Sequence, residues 1–207
     1  MRLICFGDSW TAGHGVEIDK QFKENANPPE FIKKLREQNS WVRWCADKLK
    51  IPFVNMGICG YGNMYIYNDL EKSIENGFIQ DDDIIIVMFS YPYRYKRIEK
   101  YDVVKLFWMF EKLLKNYKHL YFNSFYPTFK DENFDITSLP ECFINPNDCM
   151  SDLLKRYEIE EGLDVWEYDK KSVWNDEQNY WEGDYHPNLT GYKLIADFIY
   201  VEIKRRF

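Results

Sequence analysis

The 207-residue sequence has no apolar run long enough to span a membrane, which needs about 20 consecutive apolar residues. Its N-terminus, MRLICFGDSW, has one basic residue and an apolar stretch too short for a secretory signal. We therefore expect a soluble, cytoplasmic protein without membrane insertion. Acidic residues outnumber basic ones, 34 against 27, and the net charge of −7 provides no positive surplus for binding nucleic acid.

Disulfide and metal-binding patterns are also missing. The five cysteines are odd in number, and no two of them have the CxxC spacing. This usage argues against both a disulfide framework and a zinc site, and it is typical of a reducing compartment. We therefore expect no bound metal.

The composition is that of a folded domain. Hydrophobic residues make up 45% and charged residues 29%, so residues 1–207 are expected to form a single domain with a full core. Aromatic residues are frequent at 18%. Their abundance predicts either a bulky core with Tyr-rich loops or an aromatic platform for a ligand.

Alternating strand and helix patterns predict an α/β fold. The run Ile84–Phe89 is apolar without polar alternation, as expected of a parallel strand buried on both faces. Other strands are predicted at Arg2–Phe6, Pro52–Asn55 and Leu120–Phe125, with a weak one near Asp164–Glu167. Helices are predicted at about Trp41–Leu49 after a Ser40 cap, Met64–Glu75, Val103–Tyr117, Met150–Glu158 and Leu189–Arg206. The remaining long segments are Val16–Asn39, with at most a short helix, and the irregular Tyr126–Asp148. We therefore expect a central parallel sheet of about five strands with helices on both faces.

Chemically capable residues cluster where the predicted strands end. Gly7–Trp10 follows the first strand, Gly57–Asn63 the second and Phe89–Arg94 the third. Sites in parallel sheets form beyond the carboxyl ends of the strands, so these segments should meet at one edge. A fourth segment, Asp184–Asn188, precedes the last helix, and Asn188 is placed to cap it.

A nucleophilic serine at position 9 would need a histidine base, and the sequence has only three histidines. His119 is interpreted as a helix-end residue, and His14, between two glycines, as a loop residue able to line the site. His186 has Asp184 two residues before it, on the same side of an extended loop, where a carboxylate can accept a hydrogen bond from one ring nitrogen. Taken alone, this pair fits better a structural role at the start of the last helix.

Together these segments resemble the SGNH/GDSL hydrolase family. The resemblance lies in Gly7-Asp8-Ser9 after the first strand, Asn55-x-x-x-x-Gly60 after the second, and Asp184-x-His186-Pro187-Asn188 before the last helix. It implies a flavodoxin-like three-layer α/β/α sandwich and a serine esterase with a Ser-His-Asp triad. It assigns Ser9 as nucleophile, His186 as base and Asp184 as its partner, with the N–H groups of Ser9 and Gly60 as oxyanion donors.

The sequence departs from the family pattern in two places. The family's usual acid lies three residues before the histidine, where this chain has glycine, so Asp184 takes the role with Glu182 as a distant substitute. The third family block normally supplies an asparagine side chain to the oxyanion hole, but the matching segment has none. Asn63 is the first candidate to replace it, ahead of Ser90 and Arg94. The alternative role of Asn63 is to cap the helix that follows.

Further residues near these blocks are expected to line the substrate site: Trp10, His14, Ser90 and Arg94. The Arg94 guanidinium suits an anionic or carbohydrate group, or a surface ion pair. Asp8 is expected to hold the Ser9 loop by hydrogen bonds.

Three functions are open at this stage. The first is an esterase, for example on a carbohydrate O-acetyl ester, and the second is an acyltransferase with the same triad. The third is a binding module that kept the fold and lost efficient catalysis. The missing asparagine favours this module, whereas the retained Ser9, Asp184 and His186 oppose it and favour catalysis. The expected partner is a small-molecule or carbohydrate ester, and no cofactor is expected. The blocks and the Tyr-rich content also resemble hydrolase-like proteins of bacteriophages.

Overall fold

The computed structural model describes residues 1–14, 29–91, 103–124, 126–129, 134–167, 173–175, 180–182 and 186–207. Its centre is a parallel sheet of β1 (Leu3–Gly7), β2 (Phe53–Gly57), β3 (Ile84–Phe89) and β4 (Lys118–Asn123). The strands lie in the order β2-β1-β3-β4. All four therefore end at the same edge, where the predicted site segments follow them.

Helices cover both faces of this sheet. They are α1 (Ser9–Ala12), α2 (Pro29–Asn39), α3 (Trp41–Leu49), α4 (Asn63–Glu75), α5 (Val103–Leu114), α6 (Met150–Glu161) and α7 (Leu189–Arg206). Successive strand residues point to opposite faces, so Cys5 and Ile86 pack in the core with α3 and α7, whereas Ile4 and Ile85 pack with α4 and α5. Burial on both faces explains why β1 and β3 are apolar along almost their whole length. The predicted three-layer α/β/α architecture is confirmed.

Two predicted helix caps are present. Ser40 Oγ accepts a hydrogen bond from the backbone N–H of Arg43 at 3.4 Å, and Asn188 Oδ1 accepts one from the backbone N–H of Gly191 at 3.0 Å. Caps of this kind contribute about 1 kcal/mol each because they satisfy a helix-end amide. Asn188 Nδ2 also donates to the backbone oxygen of Asp164 at 3.0 Å, which links the start of α7 to the neighbouring segment.

The prediction of a fifth strand in the central sheet is wrong. β5 (Trp166–Glu167) pairs with β8 (His186–Pro187) in an antiparallel ladder, and within the described ranges neither joins the four-stranded sheet. A second antiparallel pair, β6 (Val173–Asn175) with β7 (Tyr180–Glu182), was not predicted. Such short strands depend on their tertiary neighbours more than on their own pattern, so a short apolar run does not identify its partner.

The segment Val16–Asn39 contains more helix than predicted. Its last 11 residues form α2, and Leu35 of this helix is buried in the core beside α3. Residues 16–28 lie outside the described ranges.

In the described part of the chain, no helix has the length and apolarity needed to cross a membrane.

Aromatic rings fill much of the core on one face of the sheet. Phe89 stacks on Tyr121 and Phe143, with ring centroids 5.5 and 5.7 Å away, and meets Phe110 edge-on at 5.1 Å. Phe143 belongs to the irregular segment predicted at Tyr126–Asp148, and a β-bridge pairs it with Tyr121. A bulky core therefore accounts for many of the aromatic residues.

Candidate active site

Ser9 stands at the carboxyl end of β1, where the chain passes directly from strand to helix. Asp8 is the N-cap of α1, and its Oδ1 accepts a hydrogen bond from the backbone N–H of Trp10 at 3.0 Å. Asp8 is fully buried, and Ser124 Oγ lies 3.4 Å from its Oδ2. The Asp8 carboxylate thus holds the turn that presents Ser9, as expected.

Two glycines allow α1 to lie against the strand ends. A Cβ atom on Gly7 would stand 2.0 Å from Thr11 Oγ1, and one on Gly57 would stand 2.3 Å from the backbone nitrogen of Ala12. Asn55 adds a further tie, because its Nδ2 donates to the backbone oxygen of Thr11 at 2.7 Å. In the sequence Asn55 served only to mark a family spacing; in the structure it fixes the helix that carries the serine.

The structure brings Ser9 and His186 together although they are 177 positions apart in the chain, with Oγ and Nε2 separated by 2.9 Å. Pairing of β8 with β5 and the cap at Asn188 hold His186 in place. The two side chains are only 3% and 5% exposed. A buried hydroxyl–imidazole hydrogen bond is the geometry in which histidine can take a serine proton. The roles of nucleophile and base remain predictions.

The predicted acid lies outside the described residues. This acid is Asp184, and its distant substitute Glu182 is described only as a backbone position in β7. The predicted substrate residue Arg94 also lies outside the described residues. The second ring nitrogen of His186, Nδ1, is buried. A carboxylate beside that nitrogen would orient the ring and stabilise its cationic form, so Asp184 remains the predicted partner.

The loop after β2 holds the predicted oxyanion donors Gly60 and Asn63. Gly60 has a φ of +85°, a left-handed conformation that favours glycine. Asn63 Nδ2 donates to the backbone oxygen of Ser90 at 3.1 Å, and its Oδ1 accepts from the Ser90 N–H at 2.7 Å. The capping alternative for Asn63 is wrong, because Gly62 is the N-cap of α4 and Asn63 is the first helical residue. The Asn63 amide has a second N–H, so its oxyanion role remains a prediction.

Two residues predicted to line the substrate site, Trp10 and Ser90, are buried in the structure. Trp10 is 2% exposed and meets Trp166 edge-on, with ring centroids 6.0 Å apart. Ser90 is fully buried, and its backbone N–H and C=O bond to Asn63. Packing and loop fixation are thus their observed roles, and contact with a substrate stays a prediction for each.

His14 lies directly against the predicted base. Its Nδ1 is 3.2 Å from His186 Nε2, and the two rings meet edge-to-face with centroids 4.4 Å apart. The backbone N–H of His14 donates to the Ser9 oxygen at 2.9 Å, and the backbone oxygen of His14 accepts from the Tyr192 hydroxyl at 2.7 Å. The expectation that His14 belongs near the site thus agrees with its position, but no sequence signal indicated its contact with His186.

Among the described residues, one group has donor atoms close enough to hold a metal ion: Glu111, His119 and Cys142, within 4.8 Å of one another. His119 is part of β4, so its interpretation as a helix-end residue is wrong. Its Nε2 lies 3.0 Å from Glu111 Oε1 and its Nδ1 2.9 Å from the backbone oxygen of Tyr117. Burial and the Glu111 carboxylate raise the pKa of the Cys142 thiol to about 12, and the sulfur lies 3.5 Å from Glu111 Oε1 as a donor to it. The group lies near the amino end of β4, away from Ser9.

Solved structures of esterases are similar to this chain over most of its length. The acetyl xylan esterase AlAXEase is 14% identical with a TM-score of 0.52, over 98% of this chain and 99% of that one. The acetylxylan esterase Axe2 from Geobacillus stearothermophilus is 16% identical with a TM-score of 0.50, over 98% and 93%. A member of the lipolytic protein G-D-S-L family from Veillonella parvula DSM 2008 is 19% identical with a TM-score of 0.46, over 100% of both chains. The sequence matches no protein-family model and no curated protein.

The strand order and the layers define an open α/β sandwich with its candidate site at the carboxyl edge of a parallel sheet. More narrowly, the chain shares the fold of the two acetylxylan esterases AlAXEase and Axe2. The fold implied by the sequence blocks around Ser9, Gly60 and His186 is therefore confirmed.

Proposed function

We propose that the protein is a serine esterase in which Ser9 is the nucleophile and His186 the base. The observation that carries this proposal is the 2.9 Å contact between Ser9 Oγ and His186 Nε2 in a buried setting. A serine hydroxyl is a weak nucleophile at neutral pH and becomes effective when a neighbouring base takes its proton. The structural neighbours named as acetyl xylan esterases support the same class of reaction.

The proposed reaction has an acylation step and a hydrolysis step. Ser9 Oγ attacks the ester carbonyl carbon while its proton moves to His186 Nε2. The N–H groups of Ser9 and Gly60, with Asn63 as a third candidate, donate to the carbonyl oxygen as it becomes negative. His186 then gives the proton to the departing alcohol, and the acyl group stays on Ser9. Water, activated by the same histidine, releases the acid, and Asp184 keeps the ring oriented. These steps need no metal ion or organic cofactor.

The proposed substrate is a short acyl ester, with the O-acetyl ester of a carbohydrate as its most specific form. The 3% exposure of Ser9 favours a small acyl group such as acetyl over a long chain. The names of the two acetylxylan esterases support an acetylated sugar as the natural ester. Transfer of the acyl group to a sugar hydroxyl, in place of water, would use the same residues.

Hydrolysis of 4-nitrophenyl acetate by the wild type, Ser9→Ala and His186→Ala tests the proposal. Each variant should lose at least about a thousandfold in kcat, because a nucleophile and its base act as one unit and removing either costs about as much as removing both. Release of acetate from acetylated xylo-oligosaccharides tests the substrate class, and acetylated sugar products formed from an added acceptor would indicate transfer instead. Hydrolysis by the wild type that Ser9→Ala retains would contradict the proposal. Binding of the oligosaccharide without hydrolysis would favour the binding module.

A further inference from the structure

The proton-accepting nitrogen of His186 has two neighbours rather than one. Its Nε2 lies 2.9 Å from Ser9 Oγ and 3.2 Å from His14 Nδ1. Both distances are within hydrogen-bond range, and a neutral imidazole nitrogen has a single lone pair. The second histidine is therefore placed to act on the same atom that must take the serine proton.

The backbone around His14 keeps its ring in this position. Gly13 ends α1 in the left-handed conformation, with φ of +80°, and a Cβ there would stand 2.7 Å from the backbone oxygen of Arg36. The turn at Gly13 brings His14 back over α1, where its N–H bonds to the Ser9 oxygen. From the other side, the Tyr192 hydroxyl of α7 holds the His14 backbone oxygen. Two hydrogen bonds and the left-handed turn at Gly13 thus fix the main chain that carries the ring.

The proton balance decides what His14 can do. At rest the Ser9 hydroxyl donates to His186 Nε2. During attack the proton moves to Nε2, and that nitrogen becomes an N–H donor. A neutral His14 with its own proton on Nε2 presents a lone pair at Nδ1 to this new donor and keeps its proton throughout. Its contact with His186 is thus unfavourable before proton transfer and favourable afterwards, which is the condition for accelerating the step.

We propose that His14 is a positioning residue that accepts a hydrogen bond from the His186 imidazolium and so raises the basicity of His186 toward Ser9. This role rests on the proposed esterase function. It differs from the contact with substrate expected from the sequence, because His14 acts through His186 and not through the ester.

Variants at position 14 separate this role from simple packing. His14→Leu keeps bulk and removes the acceptor, whereas His14→Asn places an amide oxygen near the position of Nδ1. With 4-nitrophenyl acetate, His14→Leu should lower kcat by about 10-fold to 100-fold with little change in KM, the range for a hydrogen bond to a charged group. His14→Asn should recover most of that loss. If His14→Leu fails to fold, His14→Ala makes the same comparison. His119→Leu, which removes a histidine far from Ser9, is the control and should keep the wild-type kcat.

Two kinds of failure are distinguishable. If hydrolysis by the wild type depends on Ser9 and His14→Leu has the same kcat as the wild type, the role of His14 is overturned and the esterase proposal stays intact. Equal losses in His14→Leu and His14→Asn, or an effect confined to KM, would also overturn it. A wild type without Ser9-dependent hydrolysis would refute the esterase proposal first, and the role of His14 would be refuted with it.

Discussion

Asn63 offers a sharp test of how the candidate site is held together. Its side chain makes two hydrogen bonds to the backbone of Ser90, one accepted at 2.7 Å and one donated at 3.1 Å, and both residues are buried. Asn63→Ala would leave the Ser90 N–H and C=O without these partners. Each unsatisfied buried group costs about 1–3 kcal/mol, so we expect a loss of roughly 2–6 kcal/mol in the free energy of unfolding.

Thermal unfolding measures this loss directly. In a chain of this size, about 1 kcal/mol shifts Tm by roughly 2–4 °C, so Asn63→Ala should lower Tm by about 4 °C or more. Asn63→Asp keeps the acceptor for the Ser90 N–H and loses the donor to the Ser90 oxygen, so its Tm should fall as well. Asn68→Ala, at an exposed position of the same helix, is the control and should change Tm little.

The same variant tests whether Asn63 is also an oxyanion donor. Loss of one such donor costs about a hundredfold or more in kcat. A folded Asn63→Ala that loses less than about tenfold in kcat would remove Asn63 from the oxyanion hole. A Tm within about 1 °C of the wild type would contradict the expected loss in the free energy of unfolding, because the Ser90 N–H and C=O would then have found other partners.

Three further predictions concern stability, local geometry and substrate size. The Asp83 carboxylate is 1% exposed, and burial disfavours its charge, but hydrogen bonds from Arg2 and Gln80 outweigh burial and lower its pKa. The ionised carboxylate therefore stabilises the fold at pH values above its unfolded pKa. This contribution is lost as the pH falls through the folded pKa. Urea unfolding between pH 7 and 3 should show Asp83→Asn less stable by about 1–3 kcal/mol at pH 7, with a flatter decline in acid; an unchanged decline would contradict this. Gly57→Ala should displace α1 and lower both Tm and kcat, since its Cβ would meet the Ala12 nitrogen at 2.3 Å; wild-type values would contradict that steric argument. With 4-nitrophenyl esters, kcat/KM should fall from acetate to octanoate because Ser9 is buried, and a preference for octanoate would contradict the small-acyl proposal.

The sequence predicted elements whose signals are local. The apolar run Ile84–Phe89 is a central strand because burial on both faces demands that composition. Ser40 and Asn188 cap their helices because a side chain that reaches a helix-end amide does so from a fixed position. Ser9 and His186 were recognisable because their short blocks lie at a strand end and before the last helix, and the structure brings these positions within 2.9 Å of each other.

The features that sequence reasoning missed depend on partners distant in the chain. Trp166–Glu167 was expected in the central sheet, but it pairs with β8 in a separate antiparallel ladder. The alternative role of Asn63 was to cap α4, but the residue after β3 offers its amide two backbone partners. Trp10 follows the serine, and its packing against Trp166 in the core was not predicted. In each case a tertiary neighbour decides, and a local pattern does not reveal it.

Covalent labelling of the wild-type protein with a fluorophosphonate, located by peptide mass spectrometry, measures directly whether Ser9 is an activated nucleophile. We expect rapid modification of Ser9, and strong slowing in His186→Ala, because only a serine activated by its base reacts quickly. Absence of labelling at Ser9, or equal labelling in His186→Ala, would contradict the claim that the 2.9 Å contact between these side chains creates a nucleophile.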